Sequence, residues 1–221
     1  MKQSSNTEIK FLEIDSKIIE YQVFGDISND IPVLILLHEG LGSIAMWRKI
    51  PELIHFKTKL NVFVYSRFGY GKSSTIKLPR PTNYMSIEAE EYLPKIIKSL
   101  SIKNYFLIGH SDGGTIASIG SKSKNIEQLL GTILIAPHFF VEQESINAIE
   151  DISYQYKYKN LKSKLERFHN DVDNAFWGWS NVWLSPDFKN WNILKYLPQI
   201  KTPILALQGT NDPYGTINQI N

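Results

Sequence analysis

Short apolar stretches alternate with segments of helical character, and this alternation limits the fold more than any other feature. Val33–His38 is a continuous apolar run, the mark of a strand buried on both faces, and Asn61–Tyr65 reads as another. Tyr105–Gly109, Thr132–Ala136 and Ile204–Leu207 read as further strands. Ile9–Ile14 and Ile18–Phe24 read as a hairpin turning at Asp15-Ser16. Between the strands, Ala45–His55 has helical character that Pro51 is expected to end or kink. Ser86–Leu100 is expected to be a helix capped by Ser86, with Glu88, Glu90 and Glu91 in its first turns and a kink at Pro94. A helix of small residues is expected to run to about Ser121. Such alternation predicts an α/β fold, a mostly parallel sheet with helices on both faces.

The alternation stops between Pro137 and Leu197, where the helical period returns with an unusual density of aromatic residues. This stretch reads as a helical insertion over the strand ends, the edge at which open α/β sheets bind ligands. The expected organisation is therefore a core of residues 1–137 and 198–221 and a helical lid of 138–197. The rings either form the lid's own core or line an apolar pocket.

A chain of 221 residues fits one large domain, or one core with an insertion. Its 43% apolar and 21% charged residues exclude general disorder. The formal charge of +2 gives no strong field for nucleic acid. The absence of cysteine removes disulfides, thiolate catalysis and cysteine-based metal sites. Met1–Lys10 is polar and does not read as a signal peptide, and the longest apolar run, Val33–Leu37, is far short of the ~20 residues that span a bilayer. A soluble, cytoplasmic protein without a membrane partner is expected.

Gly109-His110-Ser111-Asp112-Gly113 has the form G-x-S-x-G, placed between an expected strand and an expected helix. A serine on so sharp a turn needs small neighbours, and the two glycines remove the clash. Its hydroxyl is then held out at the head of the helix, where the Asp112 N–H can face a developing oxyanion.

From Phe11 to Thr216 the chain resembles the α/β-hydrolase family. Leu36-Leu37-His38-Glu39-Gly40-Leu41-Gly42-Ser43 is similar to that family's His-Gly oxyanion loop, with Glu39 standing where glycine is usual. The resemblance implies Gly40 N–H as the second oxyanion donor. Ser66-Arg67-Phe68-Gly69-Tyr70-Gly71-Lys72-Ser73 resembles the R-x-G-x-G-x-S loop, which packs near the site without doing chemistry. The family's order of nucleophile, acid and histidine implies Ser111 as nucleophile and Asp212, after the last strand, as acid. No histidine follows Asp212; the five are His38, His55, His110, His138 and His169. The chain thus reads as an α/β-hydrolase cut short, with the last helix and strand and the catalytic histidine missing. His38 is expected to support the oxyanion loop, His55 to lie on a helix surface and His110 to point away from the nucleophile. His138 alone is placed to approach Ser111, with a pocket or loop role as the plainer reading. His169 is expected to cap or line the lid.

Two nucleotide-binding patterns fail on inspection. Gly40-Leu41-Gly42-Ser43-Ile44-Ala45 follows a strand but lacks the carboxylate ~20 residues on, and Gly71-Lys72-Ser73 lacks the glycine five residues before it. The expected function is hydrolysis of a carboxylic ester, thioester or related small acyl substrate by a serine enzyme, impaired in this chain by the absent histidine. The alternative is a truncated pseudoenzyme or binding protein on the same fold. Neither reading needs a cofactor or metal. An uncovered last strand predicts self-association through the sheet edge.

Overall fold

A computed structural model describes residues 8–122 and 128–221. Residues 1–7 of the polar N-terminal segment lie outside the described residues. Seven strands form one sheet in the order β1-β2-β4-β3-β5-β6-β7. β1 (Lys10–Ile14) and β2 (Lys17–Phe24) form the expected hairpin, and Asp15 and Ser16 turn it with φ of 50° and 60°. β2 runs antiparallel to β4 (Asn61–Tyr65). β3 (Val33–Leu37), β4, β5 (Tyr105–His110), β6 (Leu129–Ile135) and β7 (Ile204–Leu207) are mutually parallel. Every residue of β3 and β4 is buried, as their unbroken apolar runs require.

Two local expectations are corrected. Pro51 neither ends nor kinks a helix. It sits in the first turn of α1 (Ile50–Thr58), where its missing N–H would have no partner anyway. A separate 3-10 turn, Ile44–Trp47, precedes it. Ser86 is not a cap, because α2 (Tyr84–Ile87) begins after Asn83. Tertiary contacts set that start: the Tyr84 hydroxyl donates to Asp112 Oδ2 and accepts from Trp183 Nε1 at 3.1 Å. The expected kink is a π-helical turn, Glu88–Tyr92, leading into α3 (Leu93–Ser99) with Pro94 in its first turn. Glu88 does not serve a helix dipole at the surface; it is buried and accepts from the Tyr65 hydroxyl at 2.7 Å.

α4 (Asp112–Gly120) follows β5 directly and is buried almost throughout. Between β6 and β7 come α5 (Gln143–Tyr158), α6 (Leu161–Glu166) and α7 (Val172–Trp183). Asp171 caps α7 by accepting the Asn174 N–H at 2.8 Å. Phe139, Trp179, Trp183 and Phe188 pack into the main core with the sheet, while Tyr156, Phe176 and Trp177 belong to a smaller separate cluster. Phe176 and Phe188 are fully buried, Tyr156 stacks on Phe176 with centroids 3.7 Å apart, and Phe188 stacks on Trp191 at 4.8 Å. β7 pairs only with β6 and leaves Leu205 53% exposed.

Candidate active site

The site assembles where β3, β5, β6 and β7 end. Ser111 joins β5 to α4 with φ 53° and ψ −118°, a conformation outside the common helix and strand regions. The chain reverses so tightly that a Cβ on Gly109 would lie 2.1 Å from Gly113 O, and one on Gly113 would lie 2.1 Å from Leu37 O. The glycines two residues either side of the serine are therefore steric requirements. Asp112 is the first residue of α4, so its N–H has no intrahelical acceptor.

A cavity of about 200 Å³ opens at Ser111. Gly40 and Leu41 border it after β3, His110 at the end of β5 and Ser111 just after it, His138 after β6, and Asp212 and Tyr214 after β7. The segment between β6 and β7 adds Ile152 from α5 and Trp179 from α7. The cavity thus brings together three of the residues singled out in the sequence, Ser111, Asp212 and Gly40, while Asp112 follows Ser111 at the head of α4 with its side chain buried. His110 also borders the cavity rather than turning wholly away, and its Nδ1 lies 3.7 Å from Glu39 Oε2. Sequence reasoning missed Trp179. Its indole packs so close that a Cβ on Gly40 would lie 2.1 Å from Nε1, and that Nε1 is buried without a hydrogen-bond partner. No local pattern could have flagged a contact spanning so many residues.

Buried polar groups fix the two loops that face each other here. His38 Nε2 accepts the Arg67 N–H at 3.0 Å, and its Nδ1–H donates to the Glu39 carbonyl at 2.7 Å. Arg67 Nη2 donates to the same carbonyl at 2.8 Å, while its Nη1 lies 3.8 Å from Asp112 Oδ2. One arginine therefore ties the Glu39–Gly40 loop to the head of α4. His38 supports the loop as expected. His55 caps the end of α1 by donating to Leu60 O at 2.7 Å. His169 accepts the Gly71 N–H on Nδ1 at 3.0 Å and donates from Nε2 to Leu41 O at 3.0 Å, so it braces the cavity's wall from behind.

Asp212 is half-buried. Its Oδ1 accepts the Tyr214 N–H at 2.9 Å and its Oδ2 accepts from Gln208 Nε2 at 3.3 Å. His138 is buried, edge-on to Trp183, with Nδ1 unpartnered. Burial pulls its pKa down, against the opposing charges of Asp112, Asp212 and Glu142. Among the described residues no group of three or more His, Asp or Glu is placed to hold a metal ion, and no helix is long and apolar enough to cross a membrane.

Burial also lowers the pKa of His38 and His169, with the Arg67 charge adding to the effect at His38. In the unfolded chain these histidines, with His138, take a proton near the ordinary 6.5. The unfolded state then binds more protons than the folded one, so stability rises with pH through this range and falls below it. For His38 and His169 protonation would also break an accepted backbone hydrogen bond. We expect thermal melts to lose stability steadily from pH 7 to 5, by up to about 1.4 kcal/mol per histidine per pH unit. A flat melting temperature across that window would contradict this assignment.

The comparisons with known proteins agree with this architecture. A family model described as the alpha/beta hydrolase fold matches residues 32–120. An alpha/beta hydrolase from a Medee basin deep-sea metagenome superposes with a TM-score of 0.73 at 18% identity, over 95% of this chain and 82% of that one. The enol-lactonase from Burkholderia xenovorans gives 0.70 at 16% identity, over 95% and 85%. A carboxylesterase structure from the ammonia-oxidizing thaumarchaeon Nitrososphaera gargenis gives 0.73 at 18% identity, over 92% and 81%. A search of curated protein sequences returns no match. The chain has the alpha/beta hydrolase fold, with the β5–α4 turn inside the matched segment.

Proposed function

We propose that this site performs acyl transfer to water, as the serine hydrolase of a small carboxylic ester, thioester or related acyl compound. The observation that carries the proposal is Ser111, held in a strained turn at the head of α4 and open to a cavity that also holds Asp212. Ser111 Oγ attacks the substrate carbonyl carbon, and its proton passes to a base. The resulting oxyanion is held by the N–H groups of Asp112 and Gly40, the loops that Arg67 ties together. Collapse expels the alcohol or thiol, and water then frees the acid by the same route. Asp212 is the group that would orient an imidazole base, which no residue after it within the 221 supplies, so turnover by this chain is expected to be impaired unless an external base takes the proton.

The cavity sets the substrate's size. At about 200 Å³ it is smaller than most ligand pockets, and Leu41, Ala136 and Ile152 give it apolar walls. This favours a short acyl group. The segment 138–197 acts as the lid, and its Trp179 packs against Gly40 at the cavity wall. Solved proteins on the same fold include a carboxylesterase, an enol-lactonase and a thioesterase domain, all of which act at acyl carbonyls. No cofactor is needed for this chemistry, and we place it in the cytoplasm, in keeping with a chain free of cysteine.

His138 on the cavity wall keeps its Nδ1 without a hydrogen-bond partner instead of engaging Asp212, which is the observation that favours the second reading, a binding protein on the same fold. Ester hydrolysis by the chain and by Ser111→Ala, each with and without added imidazole, separates the two. An external base restores Ser111-dependent turnover to a hydrolase site and does nothing for a binding site.

We also propose that β7 pairs with a second copy of the chain. Ile204, Leu205 and Leu207 are 43%, 53% and 47% exposed on a strand with one neighbour. Sedimentation should show a dimer that Leu205→Lys converts to monomer. A monomer in the unaltered chain would defeat the idea.

A further inference from the structure

A second cavity, of about 210 Å³, shares no lining residue with the one at Ser111. Four cations border it: Lys17, Arg67, Lys77 and Arg80. Glu88 is the one carboxylate among its lining residues, and its Oε1 is already taken by the Tyr65 hydroxyl. The remaining wall is apolar or aromatic, including Phe68, Ile87 and Tyr92.

Arg80 is the unusual member. It is only 8% exposed, yet its hydrogen bonds go to neutral oxygens, from Nη1 to Tyr70 Oη at 2.8 Å and from Nη2 to Phe68 O at 3.1 Å. Its guanidinium lies over the rings of Tyr70 and Tyr84, at 4.8 and 5.1 Å from their centroids. Those faces stabilise a cation but do not neutralise it. Arg80 forms no ion pair among the described residues. Arg67, on the same wall, is 2% exposed and keeps its Nε buried without a partner, although its Nη1 approaches Asp112. Burying a guanidinium without a counter-ion is costly, as is burying an N–H without an acceptor. The Arg80 guanidinium borders this cavity, and an anion there would relieve its cost.

We propose that this cavity binds a small organic carboxylate with an apolar or aromatic body. The carboxylate meets Arg80 and Lys77, and the body lies against Phe68, Ile87 and Tyr92. The inference does not depend on the chemistry assigned to Ser111. It does reach that site, because Arg67 and Tyr84 both contact Asp112, the residue after Ser111.

The test is calorimetric titration of the 221-residue chain with benzoate, benzamide and inorganic phosphate. Benzoate should bind, benzamide should not, and phosphate should bind more weakly because it has no apolar body. Lys77 is exposed, so Lys77→Glu should fold normally and weaken benzoate binding about tenfold or more by charge reversal. Arg80→Gln should abolish it; if that variant does not fold, Lys77→Glu decides. Ser111→Ala should bind benzoate unchanged, which separates this cavity from the one above. Absence of benzoate binding at millimolar concentration would overturn the proposal. So would equal binding of benzamide or phosphate, or an affinity that Lys77→Glu leaves unchanged.

Discussion

The 221-residue chain should hydrolyse 4-nitrophenyl acetate barely above background, and imidazole should raise the rate in a Ser111-dependent way. The reason lies in what the site has and what it lacks. Ser111, Gly40 and Asp212 border one cavity, but no histidine follows Asp212 within the 221 residues to connect the proposed acid to the proposed nucleophile. Without a base the serine stays protonated, and loss of one triad member leaves only ~10³–10⁴-fold catalysis over water. The loss in turnover is ~10⁴–10⁶, which takes an ordinary rate of about 10 s⁻¹ below routine detection. An open cleft bordered by His110, Ala136, Gln208 and Asp212 adjoins the cavity and gives imidazole a way in. The measurement compares the chain with Ser111→Ala at several imidazole concentrations, after subtracting imidazole's own rate. Robust turnover without imidazole that is lost in Ser111→Ala would show that the chain holds its own base. His138 is then the group to test, since its ring is on the cavity wall and burial keeps it in the neutral form that can accept a proton. Ser111→Ala equal to the unaltered chain at every imidazole concentration would leave the binding-protein reading.

The parts of this site that were legible in the sequence are those fixed by local sterics. The turn at Ser111 declares itself because glycine is required at 109 and 113 and because a strand and a helix must flank it. The buried strands β3 and β4 declare themselves through unbroken apolar runs. Proline was less readable, because its effect depends on position: Pro51 opens α1 where an interior proline would have broken it. Ser86 looked like a cap because serine often is one. The helix start is set instead by Tyr84, whose hydroxyl is held between Asp112 and Trp183. Illegible altogether were contacts made only by folding. These include Trp179 against Gly40, His169 bridging Gly71 and Leu41, and the buried arginines around Tyr70. Each joins residues that no periodicity relates, and the first two follow from how the helices between β6 and β7 seat on the strand ends.

Glycine substitutions at the turn should separate steric need from mere tolerance. Gly109→Ala places its Cβ 2.1 Å from Gly113 O and 2.4 Å from Gly113 C; Gly113→Ala places its Cβ 2.1 Å from Leu37 O. The obstacles are backbone atoms of β3 and α4, so no flexible side chain can swing aside. The helix must move off the sheet, and with it the Asp112 N–H. Overpacking of this kind costs about 3 kcal/mol at the upper end of its usual range, or a melting temperature lower by roughly 6–12 °C in a chain of this size. Gly120 is the internal contrast. It ends the same helix, but a Cβ there would meet only Leu107 Cδ1 and Leu93 Cδ2 at 3.6 Å, ordinary packing distances. Gly120→Ala should therefore be neutral or stabilise the protein by about 0.5–1 kcal/mol through helix propensity. Thermal unfolding of the three variants decides the matter. If Gly109→Ala and Gly113→Ala melt with the unaltered protein, the tight apposition of α4 on β3 is not what holds Ser111 in its strained conformation.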